Sequence, residues 1–478
     1  MYPQKGCRFF MLPSELQGRV LIAGAGVSGL GCARLLHTLG AQLTVADDNA
    51  EHLAQLPDGV ASVSVAQATE TVADFDIVVT SPGWRPDSPL LVAAAAAGRE
   101  VIGDVELAYR LDHAQVFGPA RTWLVVTGTN GKTTTTGMLA AIMAADATRT
   151  GHRAVAVGNI GVSVFDALAD EERVDVLCAE LSSFQLHWSS QLTPDVGVLL
   201  NLADDHLDWH GGFEDYALSK AKVLTGPIGV VGREDATVLD YAQRLRAEGR
   251  LAERVLAFST GEPSLEEVGI LDDRLVSTLG GAQVDVATAD GIEPAGHAGL
   301  ADAAAAAAVA LAAGAAPESV AEGLASYHVA GHRGAVVHSA GGIDFIDNSK
   351  ATNPHAADAA LAGLDHVVWV AGGQLKGADI HQLIRDHGAQ LKAAVLLGID
   401  RAEIAAALAE LAPHVTVDVI DKTEPQAAMH AAVAAAVARA EVGDTVLLAP
   451  AAASLDMYEG MGQRGDMFAA AARELALP

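Results

Sequence analysis

The chain has 478 residues, 50% of them hydrophobic, and sets 60 acidic side chains against 30 basic ones for a formal charge of -30. That length is too great for one core and predicts about three domains of roughly 100–200 residues each. The diffuse negative field argues against nucleic acid or an acidic membrane surface as a partner. It admits a phosphorylated ligand only where backbone N–H groups, lysine or a metal ion override it locally.

The first ten residues, MYPQKGCRFF, have no long apolar stretch or cleavage site and read as a dispensable tail, with no signal peptide. A strand over 19–23, a glycine turn over 24–29, a helix over 30–39 and a strand over 42–46 then begin an α/β unit, with a further strand ending at Val78, Val79 and Thr80. After Gly118-Pro119 the pattern restarts: an apolar strand over 123–126 runs into a second glycine-rich turn and a long helix, and strands follow over 174–179 and 196–200. The alanine run from Ala298 to Ala316 is interrupted by Asp302 and is weakly apolar, so a buried helix is expected there and no membrane span. From about Gly331 a third set of strands is expected over 343–346, 366–370, 393–397, 415–420 and 445–448, between alanine-rich helices. The expected domains are therefore 1–117, 118–331 and 332–478. Cys7, Cys32 and Cys178 show no metal-ligand or CxxC spacing, read as small core residues, and fit a reducing, cytoplasmic compartment.

Only eight of the 30 basic residues are lysines, so a retained lysine marks a place where an arginine would not serve. Lys132 lies within the run Thr127-Gly128-Thr129-Asn130-Gly131-Lys132-Thr133-Thr134, which follows a strand and opens a helix. Its N–H groups and the helix dipole converge on a polyphosphate, Lys132 supplies a point charge, and Thr133 or Thr134 offers a hydroxyl to magnesium. Val126 stands where the full P-loop pattern has glycine. Glu180 ends an apolar strand and suits a metal ion on the phosphates, although a helix cap is an equal reading. Asn201 leads to Asp204-Asp205-His206-Leu207-Asp208 and on to Tyr216 and Lys220, where His206 reads either as a ligand or as a buried hydrogen-bonding residue. Gly24-Ala25-Gly26-Val27-Ser28-Gly29, with Asp47 after the next strand, favours a nicotinamide dinucleotide when taken alone.

TGTNGKTT, then GNIG (158–161), ELSSFQL (180–186), DDHLD (204–208) and Lys220 in that order resemble the ATPase domain of the Mur ligase family. His332-Arg333, DNSKATN (347–353), GGQLKGAD (372–379) and SLDMYEGMGQRG (454–465) extend the resemblance, which runs from about Arg19 to the C-terminus and points to the D-glutamate-adding branch. The resemblance implies a Rossmann-like UDP-binding domain, a P-loop-type central ATPase domain and a Rossmann-like C-terminal domain that brings the acceptor and closes on the nucleotide. It implies ATP and two Mg²⁺ ions, with UDP-N-acetylmuramoyl-L-alanine and D-glutamate as substrates and a monomer as the working form. The activity implied is amide formation through an acyl phosphate.

Carried over by motif, the reaction centre is Lys132, Glu180, His206, Lys220, Lys350 and Lys376. Glu180 and the P-loop threonine (Thr133) hold one magnesium; His206 and Lys220 serve the second. An ammonium cannot ligate a cation, so Lys220 fits only if carbamylated, with Lys222 as the alternative. Gly128, Thr129, Asn130, Gly131, Lys132, Thr133 and Thr134, with Arg333 and Asn348, are the ATP set. Val27, Ser28, Asp47, Asp48, Ser81, Gly83, Asn159 and Ser182 are the UDP-substrate set, which turns the first glycine turn from a dinucleotide to a UDP diphosphate. Thr352, Lys376, Ser454, Leu455 and Met461 are the acceptor set. Here Ser454 reads as opening a helix or as a simple N-cap, and Lys376 as an anion ligand or a loop charge.

Three positions depart from the family pattern: Asn348 replaces the usual Asp, the segment 297–302 replaces the His-Asn expected near adenine, and Met461 replaces an aromatic residue. A nicotinamide dehydrogenase leaves TGTNGKTT idle. A folate polyglutamate ligase does not account for the UDP-type first domain or DNSKATN. A noncatalytic nucleotide switch is the third rival.

Overall fold

The computed structural model describes residues 12–328 and 331–474. Cys7 and the tail expected over residues 1–10 therefore fall outside the described residues. Within them the strands form three sheets, and the chain packs as two units, 1–287 with 304–324 and 288–303 with 325–478.

The first sheet contains β1 (Arg19–Ala23), β2 (Gln42–Ala46), β3 (Ala61–Val63), β4 (Ile77–Thr80) and β5 (Glu100–Gly103), all parallel in the order β3-β2-β1-β4-β5. Val20 to Ala23 and Ile77 to Thr80 are buried on both faces, as a parallel sheet covered by helices requires. Strand order reverses at β1. The crevice outside its C-terminal end, where the glycine turn opens the helix Val27–Thr38, is thus where such a sheet takes a ligand.

The second sheet contains β6 (Thr122–Thr127), β7 (Ala154–Gly158), β8 (Val176–Glu180), β9 (Val196–Leu199), β10 (Ile228–Gly232), β11 (Arg254–Phe258), β12 (Glu267–Leu271), β13 (Arg274–Ser277) and β14 (Val284–Thr288). Its order is β14-β13-β12-β11-β10-β9-β6-β8-β7. β6 pairs in parallel with both β8 and β9, so Thr127, Glu180 and the residues after Leu199 emerge side by side at one edge. One apolar core continues from the first sheet into this one, from Val20 and Ile22 through Trp123 and Val125 to Tyr216 and Leu224. Buried acids fasten the joint. Glu106 accepts from Arg110 and from the amides of Gln191 and Leu192, and Asp112 accepts from Arg121 and the Trp123 indole.

The other unit carries β15 (Ala335–Ala340), β16 (Ile343–Asp347), β17 (Val367–Gly372), β18 (Leu391–Leu397), β19 (Thr416–Val419) and β20 (Thr445–Leu448), ordered β15-β16-β20-β17-β18-β19. β15 and β16 form an antiparallel pair; the other neighbours are parallel. The adjacent ends of β16, β20 and β17 release the loops that hold DNSKATN, Ser454 and GGQLKGAD.

The alanine run forms the helix His297–Ala312, with Ala303 to Ala310 fully buried. Among the described residues no helix is long and apolar enough to cross a membrane. Cys32 and Cys178 are buried free thiols, and burial pushes Cys178 up to about 12.

Candidate active site

The turn after β6 is held rigid from outside. Thr129 donates its amide to the Asn201 carbonyl, and its hydroxyl meets Tyr216 Oη at 2.8 Å and the Ala203 amide at 2.9 Å. Asn201 makes a reciprocal pair with the Asn130 backbone, accepting at 2.8 Å and donating at 3.2 Å. Gly131 caps the helix Lys132–Thr150 at φ 81°, a left-handed conformation that glycine reaches without a Cβ penalty. Thr133 and Thr134 lie in that helix's first turn, where backbone N–H groups have no partner within the helix.

Two lysines converge on one carbonyl. Lys132 Nζ donates to Gly128 O at 3.0 Å and Thr129 O at 2.8 Å, and Lys220 Nζ donates to Gly128 O at 2.6 Å. Lys220 comes from the helix Phe213–Ala221, is 2% exposed and sits over the Tyr216 ring. Burial and the Lys132 charge push its amine well below the usual lysine range, against the pull of Asp205 and Glu180. The alternative, Lys222, is spent elsewhere, donating to the carbonyls of Leu186, His187 and Ser189.

Glu180 is the last residue of β8 and is 1% exposed. Its Oε1 accepts from Asn159 Nδ2 at 2.8 Å, whereas Oε2 is buried with no hydrogen-bond partner. A buried, half-satisfied carboxylate is costly unless something else meets it, so this oxygen fits a hard cation beside the phosphate turn. His206 precedes the short helix Leu207–His210 with φ 52°, meets the Phe184 ring at a tilt of 55° with 4.7 Å between ring centres, and lies 3.5 Å from Asp205. A non-glycine residue in this region is uncommon, and Lys376 (φ 55°) and His332 (φ 69°) share it. Among the described residues no ready-made cluster of three or more His, Cys, Asp or Glu side chains surrounds a metal position. Oxygen donors from Thr133, ATP or a modified Lys220 would have to complete one.

In the first sheet's crevice Val27 and Ser28 line a cavity of about 480 Å³ with Asn159, Asp104, Arg34 and Gln185. Asp47 accepts from the amides of Ala25 at 2.6 Å and Asn49 at 2.8 Å. Burial pulls its pKa up, yet these amides outweigh it and hold the carboxyl below its ordinary value. Asp48 accepts from the Val65 amide, Ser81 Oγ is buried without a partner, and Gly83 lies in the loop after β4. Ser182 caps the helix Ser183–His187 in a reciprocal box with Gln185.

In the third sheet the structure brings the loops together through a residue absent from the nominated set. Arg464 is 1% exposed and donates to the carbonyls of Gly372, Ala452 and Ser349 and to Ser349 Oγ. It thereby ties the segments carrying Asn348, Lys350, Thr352, Lys376, Ser454 and Leu455. Burial lowers its pKa to about 10. The Asn348 amide donates to Leu448 O, the Lys350 amide to His332 O, and Met461 O accepts from Ser349 Oγ. Asp347 accepts from His332 Nδ1 at 2.6 Å, and Arg333 follows His332. Lys350 and Lys376 are exposed, whereas Ser454 is buried and Leu455 is 66% exposed. The helix expected to open at Ser454 is a single turn closed by the Met457 and Tyr458 amides on Ser454 O; the helix proper starts at Met461. With no long helix behind it, Ser454 gains no helix-dipole help. The signal for Arg464 was an arginine on an otherwise small and apolar helix face.

Known families match the chain over most of its length. Residues 18–103 match the model described as Mur ligase MurD-like, N-terminal domain; residues 126–290, the Mur ligase middle domain; and residues 332–452, the Mur ligase glutamate ligase domain. The chain is 56% identical to UDP-N-acetylmuramoylalanine--D-glutamate ligase of Corynebacterium efficiens, over 96% of this chain and 95% of that one. It is 57% identical to the protein of the same name from Corynebacterium diphtheriae, over 96% of each. Among solved structures it resembles the MurF ligase of Thermotoga maritima in complex with ADP, with a TM-score of 0.56 at 16% identity, over 97% of this chain and 100% of that one.

Proposed function

The chain belongs to the Mur ligase family, and on that premise we propose that it joins D-glutamate to UDP-N-acetylmuramoyl-L-alanine with cleavage of ATP to ADP and phosphate. The reading is supported by full-length identity to relatives of that name. The observation that carries it is the convergence of Lys132 and Lys220 on Gly128 O, on a strand edge shared with the half-satisfied Glu180 carboxylate. Residues 1–117 hold the UDP-substrate, 118–331 ATP, and 332–478 the acceptor.

In the first step a donor carboxylate oxygen attacks the γ-phosphorus and ADP departs; the P-loop amides and Lys132 hold the phosphates in line. In the second, the D-glutamate amine attacks the acyl carbon, its nitrogen gives up a proton to solvent, the tetrahedral oxyanion collapses, and phosphate leaves. Thr133 and Glu180 would hold one Mg²⁺ and His206 and Lys220 a second, which would supply positive charge against the phosphates. Lys220 ligates only as a carbamate: its burial favours the neutral amine, which adds to CO₂ and releases a proton. Arg333 and Asn348 complete the ATP set. Val27, Ser28, Asp47, Asp48, Ser81, Gly83, Asn159 and Ser182 orient the UDP-sugar. Lys350, Lys376, Thr352, Ser454, Leu455 and Met461 seat the acceptor and the departing phosphate. The enzyme works as a cytoplasmic monomer.

The test is product identification after incubation with ATP, Mg²⁺, the UDP-sugar donor and D-glutamate. A product carrying one added glutamyl residue in amide linkage, with one phosphate per amide, supports the reading. Consumption of ATP without such an amide overturns it.

A further inference from the structure

We infer that Arg85 is a positioning residue that sets the His206 segment from the substrate loop of the first sheet, so that occupancy of the UDP turn steadies the reaction centre. The inference rests on the functional reading only for the identity of the two sites. The loop after β4 touches both. At one end the Ser81 amide donates to Ala23 O, the residue before the glycine turn. The Trp84 indole nitrogen lies 2.7 Å from where a side chain on Gly24 would begin, and Gly24 has φ 94°. Trp84 therefore rests directly on the turn expected to hold the diphosphate.

At the other end the Arg85 guanidinium crosses to the second sheet. Its Nη2 donates to the Asp208 carbonyl at 2.8 Å and Nη1 reaches the Asp208 carboxylate at 3.4 Å, two residues beyond His206. Arg85 is itself oriented by Asp87, which accepts from Nε at 3.1 Å, and the turn is closed by Ser88, whose hydroxyl donates to Arg85 O at 2.6 Å. The exposed carboxylate contact adds little, because surface ion pairs are weak. The charged hydrogen bond to the carbonyl is stronger and fixes backbone position. That matters here because His206 holds a left-handed backbone, which persists only where its surroundings over-determine it.

The experiment is hydrogen exchange over residues 204–211 with and without UDP, on wild type and on Arg85→Ala, Arg85→Lys and Asp208→Ala. UDP is expected to slow exchange there in wild type, and Arg85→Ala to abolish that effect while protection of residues 24–29 persists. Arg85→Lys is expected to recover part of it, and Asp208→Ala, which keeps the carbonyl, to retain it. In turnover, Arg85→Ala should lower kcat about tenfold, the scale of one charged hydrogen bond to a half-exposed group, with KM for the donor changed less. No UDP-dependent protection at 204–211 in wild type, or protection that survives in Arg85→Ala, overturns the inference. A wild type that shows this coupling but forms no amide leaves the inference standing and removes the functional reading instead.

Discussion

Replacing Lys220 by alanine separates chemistry from folding more cleanly than any other single change. The side chain is 2% exposed, and its amine donates to Gly128 O at 2.6 Å and Thr127 Oγ1 at 3.3 Å. Neither partner is stranded by the substitution: Gly128 O keeps Lys132 at 3.0 Å, and the Thr127 hydroxyl still donates to Leu181 O at 2.7 Å. The structural loss is then the burial of about three methylenes, roughly 2 kcal/mol, partly offset because a desolvated amine is no longer buried. The variant should fold. Its turnover should fall by about a thousandfold, an estimate set by the loss of one charged oxygen donor to a catalytic cation. The void left beneath the turn admits a small carboxylate where the carbamate stood. The assay is phosphate release by folded Lys220→Ala, checked by circular dichroism, with and without formate or acetate. Saturable recovery with a rising carboxylate concentration is expected; full activity without it, or a folded variant that no carboxylate restores, refutes the carbamate.

Other outcomes follow from the same contacts. Asn201→Ala removes both arms of the pair with the Asn130 backbone and should lower kcat/KM for ATP about ten- to a hundredfold, measured with donor and acceptor saturating. Arg464→Met leaves three buried carbonyls without this donor and should raise KM for D-glutamate more than KM for ATP; an equal rise in both would place its role elsewhere. His210 is buried with both ring nitrogens unpartnered, and burial, with the charges of His187 and His206, lowers its pKa to about 4 from 6.5. Its folded pKa lies below the unfolded one, so the unfolded chain binds the extra proton first and stability is lost as pH falls from about 6.5 towards 4. His210→Phe should flatten that part of the stability curve in denaturant titrations at successive pH values.

Strand positions at the site were legible because buried parallel strands read as apolar runs that end where polar motifs begin. β1, β2 and β20 fall at the expected residues, and Glu180 stands at the end of β8 as expected. The first helix starts at Val27, not Leu30, because a glycine turn leads directly into helical backbone and its small residues carry no amphipathic mark. β10 to β14 were not anticipated: short strands such as Arg274–Ser277 gain their identity from pairing across the sheet, which local periodicity does not encode.

Motifs revealed which residues matter more readily than how they are held. Asn159 lines the first sheet's cavity and also donates its amide to Glu180, and Ser182 closes a helix cap, contacts that the motifs do not encode. Arg464 and Arg85 escaped the nominated set because each acts through backbone carbonyls far away in sequence. Asp208 lies 123 residues from Arg85, and Ser349 lies 115 from Arg464. Ser454 shows the reverse error: a serine before a helix-like run reads as an N-cap, but the run closes only one turn.

The most direct measurement is phosphate release from ATP and Mg²⁺ in the presence of UDP-N-acetylmuramoyl-L-alanine, comparing D-glutamate, L-glutamate, L-alanine, meso-diaminopimelate and no acceptor. Release that requires D-glutamate and yields the amide is the predicted result. Release supported equally by another amino acid, or by none, would contradict it.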